Sequence, residues 1–188
     1  LKQKSKFAEA HNNRGAVLSA MGRNAEALDC FQKALSLKAD YADAHYNLGS
    51  SLRVLGRYEE ALTSLDRALT LQPNYVKALN NRGAAMEALN RLPEALKDYE
   101  RALSLNPGFT EARNNRGRVL LGLDRADDAI DNFSAALKIN PRDAESWYQR
   151  GRLLLEISRY EEAEADLKQA LSIEPAHAEA RLASCFAE

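Results

Sequence analysis

Amide side chains recur along this chain at one fixed interval of about 34 residues. One set consists of Asn13, Asn47, Asn81, Asn115 and Gln149. The residues immediately before these form a second set, in which tyrosines interrupt the asparagines: Asn12, Tyr46, Asn80, Asn114 and Tyr148. Because an amide carries both donors and an acceptor, a line of amides on one surface can hydrogen-bond the backbone of an extended peptide without reading its side chains. The alternative is that these amides belong to the repeat itself and are bonded by neighbouring side chains or water.

Other residue types lack the spacing that chemistry requires. Cys30 and Cys185 have no partners at metal-ligand spacing, and they favour a reducing, cytoplasmic location without a disulfide. His11 and His45 occupy the same place one period apart, which favours a packing role over a metal site. The glycines do not cluster into a phosphate-binding loop. We therefore predict no catalytic residue, no metal and no cofactor, and we expect that the chain is not an enzyme.

The charge of the chain is balanced, with 26 basic and 27 acidic residues. This balance gives no electrostatic reason to expect a nucleic acid partner. No apolar run approaches the roughly 20 residues that a membrane-spanning helix needs. We expect a protein or peptide partner, with no nucleic acid binding and no membrane insertion.

The same period also governs the small residues that must position the amides. Glycine recurs at Gly15, Gly49, Gly83, Gly117 and Gly151. Alanine recurs at Ala27, Ala61, Ala95, Ala129 and Ala163, and again seven residues after each of these. Proline recurs at Pro73, Pro107, Pro141 and Pro175. A fixed period of this length is typical of stacked repeats, in which each unit buries its apolar face against its neighbours.

Each repeat reads as a pair of helices. In the second repeat, apolar residues at helical spacing predict a helix over residues 42–55, which Gly56 ends in a left-handed conformation. Gly22, Asn90, Asp124 and Ser158 stand at the same place in the other repeats. An arginine follows each stop, where the dipole of the first helix favours a cation, and acidic residues occupy the first turn of the second helix. The second helix of this repeat is predicted over residues 59–71, before Pro73.

This pattern resembles the tetratricopeptide repeat. With Gly15 numbered as repeat position 8, small residues fall at positions 8, 20 and 27, and proline falls at position 32. The resemblance implies an all-α, right-handed α-solenoid of about five and a half helix-turn-helix repeats. We expect one domain over residues 1–188, with repeats at 8–41, 42–75, 76–109, 110–143 and 144–177 and a partial repeat at 178–188.

The resemblance further implies a concave groove lined by the first helix of each pair. Residues expected to face it are Asn12, Asn13, Tyr46, Asn47, Lys77, Asn80, Asn81, Asn114, Asn115, Arg118, Tyr148, Gln149 and Arg152. A similar asparagine ladder lines the repeat domain of O-linked N-acetylglucosamine transferases. The family's carboxylate clamp for chaperone tails is not matched, because Asn12 and Asn81 stand where its first lysine and its arginine belong, although Lys77 is kept as a candidate charge contact.

One departure from the family pattern concerns repeat position 7. The family places an apolar residue there, as Leu48 does in this chain. Four repeats have an arginine instead, at Arg14, Arg82, Arg116 and Arg150. We expect these arginines to make the concave edge of the solenoid more polar.

Three functions are consistent with the sequence. The first is a protein-interaction scaffold that binds an extended segment in the groove. The second is the substrate-recruiting part of a larger enzyme, since the Asn-Asn-Arg-Gly runs at 80–83 and 114–117 look similar to repeats that precede bacterial glycosyltransferase domains. The third is a structural unit that self-associates through an uncapped C-terminal end, where Leu182, Ala183 and Phe186 are expected to be exposed.

Overall fold

A computed structural model describes the backbone of residues 2–176 and the side chains of residues 6–176. This part of the chain is helical and contains no β-strand, which confirms the predicted all-α class. The chain divides into two compact units, Leu1–Phe109 and Thr110–Glu188. We call them unit 1 and unit 2.

Within residues 2–176, unit 1 contains three pairs of helices and unit 2 contains two. The helices of unit 1 are α1 (Lys2–Ala20), α2 (Asn24–Leu37), α3 (Ala42–Val54), α4 (Tyr58–Leu71), α5 (Val76–Ala88) and α6 (Leu92–Leu105). Those of unit 2 are α7 (Thr110–Gly122), α8 (Ala126–Ile139), α9 (Ala144–Glu156) and α10 (Tyr160–Ile173). Each odd-numbered helix contacts the even-numbered helix that follows it in its repeat. These bounds confirm the predicted helical hairpins, with α3 ending one residue earlier and α4 beginning one residue earlier than expected.

The turn inside each hairpin is formed at the stop residue, which is the residue that the sequence predicts to end the first helix. All five stop residues have a positive φ: Gly22 at 78°, Gly56 at 75°, Asn90 at 59°, Asp124 at 58° and Ser158 at 61°. In the first turn, the N–H of Gly22 donates to the carbonyl of Ser19, and the N–H of Arg23 donates to that of Leu18. These bonds satisfy carbonyls that the end of α1 would otherwise leave unpaired.

The arginine after each stop belongs to the second helix rather than to the first. It is the residue that precedes the second helix, and its guanidinium bonds the carboxylate three residues later: Arg23 with Glu26, Arg57 with Glu60, Arg91 with Glu94, Arg125 with Asp128 and Arg159 with Glu162. The hydrogen bond from the arginine lowers the pKa of Glu26, Glu60, Glu94 and Glu162. The pairs are exposed, so they add little stability, and that contribution is lost as the pH falls through the lowered pKa.

Close contact between a glycine and a large side chain sets the distance between the paired helices. Each glycine at repeat position 8 lies against the residue at position 24 of its own hairpin, which is Phe31, Leu65, Tyr99, Phe133 or Leu167. A Cβ added to Gly15 would lie 2.5 Å from Cε1 of Phe31, and one added to Gly83 would lie 2.8 Å from Cε1 of Tyr99. The alanines at positions 20 and 27 are buried in every repeat. The small residues therefore allow the close approach that their spacing predicts.

Successive hairpins stack in register within each unit. In unit 1, α2 packs on α3 and α4 packs on α5, while α1 contacts α3 and α3 contacts α5. In unit 2, α8 packs on α9. The first helices of unit 1 are therefore neighbours, so residues at one repeat position on α1, α3 and α5 lie along one surface.

Several predictions from sequence fall outside the described residues or stay untested. The partial repeat at 178–188, with Cys185 and the apolar residues Leu182, Ala183 and Phe186, lies beyond the described part of the chain. Self-association through that end therefore remains a prediction. The right-handed superhelix and the single domain over residues 1–188 also remain predictions.

Replacing Gly83 with alanine should destabilise the protein, although alanine favours a helix over glycine by up to about 1 kcal/mol. The added methyl would meet the Tyr99 ring. Overpacking of this kind typically costs about 1–3 kcal/mol. Chemical denaturation of Gly83→Ala should show this loss, and the loss should shrink in a Tyr99→Ala background, where the ring is absent. An increase in the free energy of unfolding would contradict the proposed contact.

Candidate functional site

Two of the predicted groove amides bond each other across the first two repeats. Nδ2 of Asn47 donates to Oδ1 of Asn12 at 2.9 Å, and Nδ2 of Asn12 lies 3.5 Å from the hydroxyl of Tyr41. Asn12 is buried. The bond between Asn12 and Asn47 agrees in part with the alternative interpretation, in which the amides are bonded by neighbouring side chains and not by a ligand. The Oδ1 atom of Asn47 is not engaged in this bond.

The remaining amides of unit 1 differ in their surroundings. Asn13 is exposed, and Asn80 is 1% exposed between the packed helices. Asn81 is 6% exposed, yet its side chain forms no hydrogen bond with any residue in the described part of the chain. Lys77 is exposed near the start of α5. We use the name amide row for Asn13, Asn47 and Asn81, which share one repeat position on α1, α3 and α5.

Three tyrosines lie beside the amide row. The rings of Tyr46 and Tyr75 have their centroids 4.9 Å apart, and the hydroxyl of Tyr75 donates to Asp43 at 3.0 Å. Burial, followed by this bond, raises the pKa of Tyr75, so the phenol stays protonated and remains a donor. Burial also raises the pKa of Tyr41, whose ring lies 4.8 Å from Nζ of Lys38. The tyrosines therefore provide neutral, half-buried ring surface next to the row.

Two of the predicted groove residues in unit 2, Asn114 and Gln149, share one hydrogen-bond acceptor. Oε1 of Glu145 accepts from Nδ2 of Asn114 at 3.3 Å and from Nε2 of Gln149 at 2.7 Å. The Oδ1 atom of Asn114 is buried without a hydrogen-bond partner among the described residues. Tyr148 is buried in a core cluster with Leu167, so its ring is not presented at a surface.

The arginines predicted at repeat position 9 of unit 2 interact within their own helices. Nη2 of Arg118 donates to Oδ1 of Asn115 at 3.0 Å. Arg152 lies 3.9 Å from Glu156. Both arginines are exposed, so their guanidinium groups remain in contact with solvent beside these partners.

The arginines at position 7 have a role that the sequence interpretation missed. Arg82 forms two bonds with Asp98, at 2.6 and 2.7 Å, and a third with Asp66 at 2.7 Å. Arg150 bonds Asp166 in the same two-pronged way, at 2.6 and 2.8 Å. Bonding to Asp98 raises the pKa of Arg82, which is charged at any accessible pH in any case. The expectation that arginine at position 7 makes the groove edge more polar is wrong for these two residues, because they join the helices of a pair.

Other candidate chemistry is limited within the described residues. No group of three or more metal-ligating side chains comes together there. No helix among them is long and apolar enough to cross a bilayer. Nε2 of His45 lies 2.9 Å from the carbonyl oxygen of Ala39, and Cys30 is a buried free thiol.

Helical pairs repeated at a constant period, with glycine against a large side chain in each pair, define an α-helical repeat protein. Models described as tetratricopeptide repeat match residues 12–76, 49–108 and 82–144, and a further one matches residues 132–165. The chain belongs to the tetratricopeptide repeat family, as its sequence predicts. The more specific likeness to the asparagine ladder of O-linked N-acetylglucosamine transferases remains a prediction. A comparison with curated proteins found no match.

Several solved structures are similar to this chain. YrrB, described as a TPR protein with an unusual peptide-binding site, is 28% identical, with 93% of this chain and 90% of that chain covered and a TM-score of 0.72. TTC0263 of Thermus thermophilus, a thermophilic TPR protein, is 26% identical, with 96% and 98% covered and a TM-score of 0.73. The first TPR of Spaghetti (RPAP3), bound to the HSP90 peptide SRMEEVD, is 32% identical, with 64% and 95% covered and a TM-score of 0.63.

Breaking the Arg82–Asp98 pair on one side should destabilise the protein. Asp98→Leu leaves the guanidinium without its two-pronged partner, and we expect a loss of about 1–3 kcal/mol. Asp98→Asn should cost less, because repeat 4 places Asn132 opposite Arg116 with an Nη1–Oδ1 distance of 3.2 Å. The double variant Arg82→Leu/Asp98→Leu should recover part of the loss. Thermal and chemical denaturation of the three variants test this order, which equal losses for Asp98→Asn and Asp98→Leu would contradict.

Proposed function

We propose that this protein is an interaction scaffold that holds an extended peptide segment of a partner protein along α1, α3 and α5 of unit 1. The amide row contacts the peptide backbone, and the tyrosines beside it contact the side chains. The role is binding rather than catalysis.

The observation that carries this proposal is the Asn81 side chain. It is buried except for 6% of its surface, and it forms no hydrogen bond within the described part of the chain. Its amide therefore has donors and an acceptor that no described residue uses. A ligand that brings a backbone N–H or C=O can bond this amide.

The spacing of the amide row suits an extended chain. Packed helices typically lie about 8–10 Å apart. An extended peptide advances about 3.3 Å per residue. Amides on α1, α3 and α5 would therefore meet about every third residue of the peptide. Asn13 is exposed, and Oδ1 of Asn47 is not used by the bond to Asn12, so each of the three amides retains hydrogen-bonding capacity.

The surface beside the row adds contacts of a different kind. Tyr46 and Tyr75 offer half-buried rings, which supply apolar contact area at little entropic cost. Asp43 is exposed and lies within bonding distance of Tyr75. Lys77 provides a single exposed cation on α5. A surface that bonds the peptide backbone and offers few charged contacts selects a partner segment by its shape and its apolar side chains.

Two of the similar structures support the peptide class of ligand. YrrB is described as having a peptide-binding site, and the first TPR of Spaghetti is bound to a peptide. The HSP90 peptide of the latter is not the expected ligand here. Asn12 and Asn81 replace the lysine and arginine of the family's carboxylate clamp, so this protein lacks those cations.

Removing the amide row should weaken peptide binding strongly without unfolding the protein. Peptides selected from a displayed random library would be titrated by calorimetry into Asn13→Ala/Asn47→Ala/Asn81→Ala. Loss of up to three hydrogen bonds, each worth about 0.5–1.5 kcal/mol, predicts a Kd raised about 10- to 100-fold or more.

The matched control removes exposed amides from second helices, as Gln32→Ala/Gln169→Ala. This variant should bind the selected peptides like the parent protein, and both variants should keep their helical circular dichroism. The peptide SRMEEVD should not bind. Failure to select any peptide, or an unchanged Kd for the triple variant, would contradict the proposal that a peptide binds in this groove.

A further inference from the structure

The side chain of Arg53, near the end of α3, has no partner in the described part of the chain. It is partly buried, and it forms no hydrogen bond or ion pair there. Nε is the only one of its guanidinium nitrogens that is buried without a partner, so Nη1 and Nη2 reach the surface. The protein therefore holds the inner part of this side chain and leaves the outer edge of the guanidinium open to an acceptor.

A comparison of the junctions between first helices shows why Arg53 lacks a partner. Its equivalent at repeat position 12 of α1 is Ser19, whose hydroxyl accepts from the hydroxyl of Ser51 on α3 at 3.3 Å. On α5, the place of Ser51 is taken by Ala85, which has no polar side-chain atom. The bond that joins α1 to α3 at this level therefore has no counterpart between α3 and α5.

The junction between α3 and α5 also leaves an amide of the amide row without a bond. Between α1 and α3, Nδ2 of Asn47 donates to Oδ1 of Asn12 at 2.9 Å. On α3, Tyr46 stands at the place of Asn12, and Asn81 on α5 forms no side-chain hydrogen bond in the described part of the chain. The same junction thus combines an amide and a guanidinium that no described residue bonds.

The acidic side chains of this surface are engaged elsewhere. Glu87 stands at position 12 of α5, and its Oε2 accepts from the hydroxyl of Tyr99 at 3.1 Å. Asp43 lies ten residues before Arg53 on α3, which is about 15 Å along the helix, and it accepts from the hydroxyl of Tyr75. Neither carboxylate pairs with Arg53, so its positive charge is available to a ligand.

Arg53 lies close enough to the amide row to share a ligand with it. Asn47, Ser50 and Arg53 follow each other at intervals of three residues, which places them on one broad side of α3. Arg53 at position 12 and Asn81 at position 6 differ by about 9 Å along the direction of the helices. The side chains of an extended peptide point sideways from its backbone. A long acidic side chain can therefore extend toward Arg53 from a backbone that is bonded to the amide row.

We propose that Arg53 binds the carboxylate of a glutamate side chain in the partner segment, through Nη1 and Nη2 together. This inference rests on the proposed function and adds a charge requirement to it. Paired bonds from a guanidinium to a carboxylate are among the stronger hydrogen bonds in proteins.

The carboxylate comes from within the segment and not from its end. Because α3 lies between α1 and α5, a segment bonded to Asn13 and Asn81 continues on both sides of Arg53. The site also differs from the family's carboxylate clamp. The clamp cations belong at the places of Asn12 and Asn81, whereas Arg53 stands at position 12 of the second repeat.

The first test compares the peptides that two forms of the protein select. A displayed library of random peptides is selected in parallel against the parent protein and against Arg53→Gln. We expect glutamate to be enriched at one peptide position by the parent protein and not by the variant. The matched control, Arg57→Gln, removes the same charge from an exposed pair with Glu60, and it should select glutamate as the parent does. Since no described side chain bonds Arg53, Arg53→Gln should keep the denaturation midpoint of the parent.

The second test measures the coupling between Arg53 and the glutamate. An enriched peptide, synthesised with an amidated C-terminus, and its glutamine analogue are titrated by calorimetry into the parent protein and Arg53→Gln. Replacing either charged group should raise the Kd about tenfold, as expected for a charged hydrogen bond. Replacing both should raise it no further than either change alone.

The outcomes separate this inference from the function on which it rests. Failure to select any peptide would overturn both. Peptides that bind the parent protein and Arg53→Gln equally well would overturn the role of Arg53 and leave the amide row standing. The inference is also overturned if the two charge changes raise the Kd independently, or if the acidic preference is met only by a free C-terminal carboxylate.

Discussion

The close contact between a glycine on the first helix and a large side chain on the second determines how each hairpin is built. At Gly49, an added Cβ would lie 2.7 Å from Cγ of Leu65 and 3.1 Å from the carbonyl oxygen of Ala61, so the two backbones are about as near as they can be. This approach buries the side chain at position 24 completely in most repeats. Because the inner sides of the two helices are occupied in this way, the remaining residues of the first helix are left to face neighbouring repeats and solvent.

That constraint separates the polar residues of the first helix into distinct roles. Arg82 and Arg150 reach across to the second helix and pair with buried carboxylates. Asn12 and Asn47 bond each other between successive first helices. The side chains of Asn13 and Asn81 form no hydrogen bond within the described part of the chain. An asparagine at one repeat position can thus bond a neighbouring helix in one hairpin and be open to a ligand in another. The recurrence of asparagine at that position does not distinguish these two roles.

The sequence predicts the hairpins well because their signals are local. Gly22, Asn90 and Ser158 adopt the left-handed conformation that their place in the repeat requires. The site is predicted less completely, because it depends on side chains that meet between helices. Tyr148 shares a repeat position with Tyr46, yet it lies in a core cluster. Period alone cannot show this, because the burial of one position varies with the side chains that pack around it in each repeat.

The position 7 pairs did leave a signal in the sequence. In three repeats, an arginine at position 7 stands 16 residues before a side chain that can accept its hydrogen bond: Arg82 before Asp98, Arg116 before Asn132 and Arg150 before Asp166. Leu48 stands before Ser64, whereas Arg14 stands before Cys30 and departs from the pattern. A comparison of the repeats within the chain would therefore have suggested the contacts of Arg82, Arg116 and Arg150 without a structure.

Comparison among repeats also separates the effect of residue type from the effect of position. Ser51 is polar and Ala85 is small, and both are buried, with the hydroxyl of Ser51 donating to that of Ser19 on α1 at 3.3 Å. Val17 occupies the same position and is largely exposed. If solvent alone selected residues here, the exposed repeat would have the polar residue and a covered one the valine. The observed order is the reverse, and large apolar residues lined up on an exposed surface are typical of an interaction site. The first repeat therefore has a face that is built like an internal interface of the array.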